Sequence, residues 1–83
     1  NHPLSQAEII LFLFAGIRGF LDHIPLEQIK KFEEKYLKDV HHFHPEIFEE
    51  IQEQTNLSDT SQQKLTDFLN NFVQEWLANV HSH

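Results

Sequence analysis

The stretch Leu11–Pro25, LFLFAGIRGFLDHIP, decides how this chain is read. It continues an apolar run that fills every position from Ile9 to Ala15, and behind it stand Gly16, Gly19, Asp22 and Pro25. Just upstream, Ser5 and Glu8 have the spacing of a capping box, in which each side chain satisfies an orphan amide of the other at a helix start. The run is therefore expected as a helix entered at Gln6. It should end at Gly16 or by Gly19, because glycine readily takes the left-handed conformation that closes helices. A strand reading of IILFLFA fits periodicity alone, but the cap and the helical remainder of the sequence oppose it. A helix apolar on every side has no face fit for water, and a chain of 83 residues offers little interior in which to surround it. The expectation is that further polypeptide covers this helix, and that the protein alone is poorly soluble or molten.

Working outward from Pro25, the proline suits the first position of a second helix, where its missing N–H costs nothing. Leu26, Ile29, Phe32, Tyr36, Leu37 and Val40 follow at intervals of mostly three and four and define one apolar face. Glu27 with Lys31 and Glu34 with Lys38 stand four apart in the favourable order on the solvent side. His44 precedes Pro45 and is biased away from the helical region, which closes this helix near His41 or His42. A short third helix then buries Ile47, Phe48 and Ile51 and exposes Glu46, Glu49, Glu50 and Glu53, ending at Thr55 and Asn56. Ser58 caps a fourth helix with Asp59 in its first turn, where negative charge suits the helix dipole. Leu65, Phe68, Leu69, Phe72, Val73, Trp76, Leu77 and Val80 form its apolar stripe. The sequence thus predicts a single all-α, partial domain over residues 1–83. Its helices are expected near 6–18, 25–42, 45–54 and 59–80, forming part of a helical bundle. Asn1–Leu4 reads as a linker and His81–His83 as a frayed tail.

Composition narrows the function. Without cysteine there is neither a disulfide nor a thiolate zinc site. Thirteen acidic against six basic side chains give a formal charge of −7, and no basic stripe is interleaved with aromatics. Nucleic acid is disfavoured as a partner, since phosphate neutralisation supplies most of that affinity. The apolar run is far shorter than the roughly 20 residues needed to span a bilayer, so direct membrane insertion is not expected. Its flanks also lack the pattern of a signal peptide.

The candidate chemical groups each have a plainer reading. His41, His42 and His44 cluster, but zinc wants three or four converging ligands, and Pro45 interrupts the helix that would align them. Histidines near a helix C-terminus are stabilised there by the dipole when protonated. Glu46, Glu49, Glu50 and Glu53 line a solvated face without the burial that separates catalytic pKa values. Ser5, Ser58 and Ser61 have no nucleophile elbow around them. No phosphate-binding glycine loop occurs. Phe68, Phe72 and Trp76 read as core, with a groove for a partner helix as the alternative. No catalytic, cofactor-binding or metal residue is assigned, and enzyme action by this protein alone ranks last.

In order, PLSQAEIILFLFAGIRGFLDHIPLEQIKKFEEKYL, HPEIFEEI and LSDTSQQKLTDFLNNF resemble the C-terminal end of the alpha subunits of rotary F-type ATP synthases. Phe14-Ala15-Gly16, Gly19-Phe20-Leu21-Asp22 and Lys31-Phe32-Glu33 occupy the places of that family's FAG, GYLD-like and KFE elements. The resemblance extends to about Phe72; the HHFH element and Trp76–Val80 depart from it. It implies an all-helical C-terminal portion of a larger subunit, a non-catalytic segment of the catalytic head in proton-driven ATP synthesis. It implies as partners the remainder of the alpha subunit, the beta subunit and the gamma subunit of the central stalk. ATP, ADP and magnesium would bind elsewhere in the complex and not on this segment. Arg18 within AGIRGFLD looks mitochondrial, which implies the matrix side of the inner membrane, with the cytoplasmic side of a bacterial plasma membrane as the alternative. A free-standing helical interaction module is the competing reading, and a small protein binding metal through His41, His42 and His44 a further one.

Overall fold

The computed structural model describes residues 5–81, with side chains through Asn79. Asn1–Leu4, read above as a linker, and the end of the tail lie outside the described residues, as does the side chain of Val80. Four helices make the fold: α1 (Gln6–Ile17), α2 (Ile29–Phe43), α3 (Pro45–Gln54) and α4 (Asp59–His81), with a 3-10 turn at Leu26–Gln28 ahead of α2. Among the described residues there is no strand.

Local chemistry sets the ends. The Ser5 amide donates to Glu8 Oε1 at 2.9 Å and the Glu8 amide to Ser5 Oγ at 3.2 Å, so both halves of the capping box form. At the other end α1 runs through Gly16, and Gly19, at φ 83°, makes the turn. The Phe20 amide donates to Ala15 O at 2.9 Å and the Gly19 amide to Gly16 O at 3.1 Å. That pair of bonds is a Schellman closure, which uses the left-handed glycine to satisfy the last carbonyls.

Pro25 departs from expectation. It does not open an α-helix; at φ −55° and ψ 139° it leads into the 3-10 turn, where the Gln28 amide donates to Pro25 O at 2.8 Å. The α-helix therefore begins at Ile29, and Leu26, assigned to the apolar face, is 86% exposed. Glu27 sits in the turn and out of α-helical register with Lys31. Among the described residues the ion pair on α2 is Lys35 with Asp39 at 3.3 Å, and neither Glu27–Lys31 nor Glu34–Lys38 forms. Exposed pairs of this kind are worth little and solvation dissolves them easily.

His44, at φ −135° and ψ 58°, is the whole connection between α2 and α3, and the helix before it extends to Phe43. Thr55 closes α3 in the left-handed region at φ 56°. Ser58 Oγ accepts from the Ser61 amide at 3.2 Å and caps α4.

The core lies where the four helices meet. Leu11, Phe32, Tyr36, Val40, Ile47, Leu65 and Leu69 are all fully buried. Phe32 packs edge-on against Phe72 and Trp76, at 5.0 and 5.4 Å between centroids, an arrangement that aligns ring edges with ring faces. The Tyr36 hydroxyl donates to Leu11 O at 2.9 Å and joins α2 to α1.

Candidate interaction surface

An apolar run tells nothing of its own phase, but the fold gives α1 one. Ala7, Leu11 and Ala15, four residues apart, are the buried line. Two alanines flanking one leucine let the backbone of α1 approach α2 and α3 closely, and Leu11 fills the space between them. Helix α1 is thus not left unaccompanied, and the expectation that further polypeptide covers it is narrowed, because the other helices take a share of that cover. They seal one side. On the other, Ile9, Leu13 and Ile17 are 45%, 53% and 81% exposed, again four residues apart and so along a single line.

Beside this line a groove of about 410 Å³ runs between α1 and the α3–α4 connection, floored by Ile10, Leu13, Phe14, Ile17 and Leu57. Arg18 closes its rim. Its Nη2 donates to Gln62 Oε1 at 2.9 Å, and its guanidinium lies over the Phe14 ring at 5.0 Å. No carboxylate lines the groove, although the protein has a formal charge of −7. An apolar floor under a positively charged rim has the chemistry of a packing surface.

The candidate chemical residues do not converge. His41 stands edge-on to Phe48 at 4.9 Å and His42 edge-on to Phe43 at 4.7 Å. His44 Nδ1 lies 3.3 Å from Glu46 Oε2. Each histidine has its own neighbour, and among the described residues no group of three His, Asp or Glu could hold a metal. Glu46 also meets Lys64 at 3.4 Å, and Glu50 Oε1 accepts the Ser58 amide at 3.0 Å. Glu46, Glu49 and Glu53 are exposed and Glu50 half-buried. Ser5 and Ser58 are used as helix caps, and the Ser61 amide is held by the Ser58 cap.

The aromatic stripe of α4 is consumed internally. Phe72 is buried, and Phe68 and Trp76 are half-buried against the same core. Trp76 Nε1 donates to Gln28 Oε1 at 2.9 Å. The groove for a foreign helix that this stripe offered as an alternative is filled by Phe32 and Tyr36 of the protein itself. Sequence reading missed Arg18 and Gln62 as rim residues; an arginine directly after an apolar run was the available signal.

Both glycines of the sequence lie at the C-terminal end of α1, where the helix dipole is negative and repels anions. No described helix is long and apolar enough to cross a membrane.

Comparison with known proteins agrees with the fold. The family model for the ATP synthase alpha/beta chain, C terminal domain, matches residues 1–72. The ATP synthase subunit alpha of Rickettsia bellii is 38% identical over 76 residues, 92% of this chain and 15% of that protein. The ATP synthase subunit alpha of a Mycobacterium species (strain KMS) is 40% identical over 72 residues, 87% of this chain and 13% of that protein. The chain thus spans roughly a seventh of the length of these relatives.

Proposed function

Since this protein belongs to the family of C-terminal domains of ATP synthase alpha and beta subunits and its relatives above are alpha subunits, we propose that it is a non-catalytic structural segment of the catalytic head. In this reading it completes the helical C-terminal region of an alpha subunit. Its contribution to coupling is mechanical: packing that keeps the lower part of the subunit rigid while neighbouring parts move. The observation that carries the proposal is the exposed line Ile9, Leu13 and Ile17 with its adjoining groove. A contiguous apolar surface of this kind is the mark of a face that another polypeptide covers.

The partners proposed are the remainder of the alpha subunit, the beta subunit and the gamma subunit, with ATP, ADP and magnesium held elsewhere in the complex. The location proposed is a membrane-bound ATP synthase, on the matrix side of the mitochondrial inner membrane or the cytoplasmic side of a bacterial plasma membrane. Affinity recovery of the tagged protein from its own cells tests the reading. Co-recovery of alpha, beta and gamma subunits is the expected result; recovery without them, or with an unrelated set of proteins, overturns it. Leu13→Glu serves as the control, because it charges the exposed line without entering the core and should reduce that recovery.

A further inference from the structure

The family match ends at residue 72, yet α4 continues to His81, and the added turns are not idle. Val73 is buried, and Trp76 and Leu77 are half-buried against the core. The Trp76 ring stands edge-on to Phe32, 5.4 Å away, and its N–H is bound by Gln28 at 2.9 Å. Gln28 is the last residue of the 3-10 turn that leads into α2. That turn has no side-chain cap of its own, and Leu26 within it is almost fully exposed. Short 3-10 segments at helix ends have poorer hydrogen-bond geometry than the helix proper and so open more easily than it does. An indole offers both a large apolar face and one directional donor, which is what fastening such a turn requires.

We infer that residues 73–77, the part of α4 just beyond the stretch that the family model matches, are a strap that locks the 3-10 hinge between the α1–α2 connection and α2 through the Trp76–Gln28 bond. The strap holds the orientation of α2 against α4. It acts independently of which protein covers α1, so it stands or falls apart from the proposed function.

Amide hydrogen exchange on the full 83-residue protein tests it, using Trp76→Phe, which keeps an aromatic ring and removes the N–H, and Gln28→Ala, which removes the acceptor. The amides of Gln28 and Ile29 donate to Pro25 O and Leu26 O within the hinge and report its opening. Each single variant should speed their exchange about fivefold, and the double variant no further than the larger single effect, because the two side chains act as one bond. The amides of Ile47–Ile51 in α3 should keep the wild-type rate. Unchanged exchange at Gln28 and Ile29, additive effects in the double variant, or an equal rise in α3 would each overturn the strap. Neither variant removes a fully buried side chain, so both are expected to fold.

Discussion

Tyr36 joins α2 to both α1 and α4. Its ring lies among Phe32, Phe68 and Phe72, and its hydroxyl donates to Leu11 O in the middle of α1. In an α-helix that carbonyl also faces the amide four residues on, so it is not orphaned when the phenol is lost. Tyr36→Phe should therefore cost about 1 kcal/mol, the net worth of one neutral hydrogen bond, read from urea denaturation. Burial raises the phenol's pKa well above its ordinary value of 10.0, because a phenolate in an apolar site loses its hydration. A group whose pKa is raised by folding contributes its stability below the unfolded value and loses it as pH rises above that value. The protein should thus lose stability from about pH 10 upward. Its only tyrosine should ionise together with unfolding in an ultraviolet titration. Tyr36→Phe should flatten that alkaline loss, and a wild-type phenol that ionises near pH 10 without unfolding would refute the argument.

At the scale of elements, the α3–α4 connection shows how a few polar atoms shape a turn around one buried side chain, Leu57. Thr55 turns left-handed, the Leu57 amide donates to Asn56 Oδ1 at 2.9 Å, and Gln62 Nε2 donates to Leu57 O at 3.0 Å. A β-branched residue at positive φ is strained, and glycine is not. Thr55→Gly should stabilise the protein by about 0.5–1 kcal/mol, the relief being partly offset by the greater freedom of glycine in the unfolded state. Thermal unfolding measures it. The Ser58 amide, and after it the Ser61 side chain, hold the Glu50 carboxyl below its usual value. A lowered carboxylate pKa gives stability that is present above the ordinary value and lost as pH falls through the depressed one. The Ser58 amide resonance should accordingly titrate with a midpoint below the ordinary glutamate value of 4.5, and Glu50→Gln should abolish that titration. Element ends were the most legible part of the sequence. Ser5 with Glu8, His44 with Pro45, and Ser58 act through bonds within a few residues, so their spacing alone announces them. Pro25 misled because a proline fits the start of a 3-10 turn as well as that of an α-helix. The Trp76–Gln28 bond was invisible, since it joins residues that only the packed helices bring together.

For the whole molecule, the question is what a uniformly apolar helix does on a small domain. The dense run from Ile9 to Ala15 announced a need for cover but not its direction, because side chains of equal hydropathy carry no phase. The small residues at Ala7 and Ala15 were the phase signal, and they mark the side where α2 and α3 come close. The fold therefore divides α1 into an inner line that stabilises this domain and an outer line that does not. Opposite outcomes follow for substitutions only a turn or two apart. Leu11, fully buried, should cost about 2–5 kcal/mol when replaced by alanine, since transfer and cavity costs add. Ile17→Glu, at a position 81% exposed, should change stability by no more than about 0.5 kcal/mol. It should nevertheless lower self-association of the free protein in sedimentation, by placing a charge on the line that covering polypeptide would bury. If Ile17→Glu unfolded the protein as Leu11→Ala does, α1 would be sealed on both sides by its own domain. The open face on which the proposed place in a larger assembly rests would then not exist.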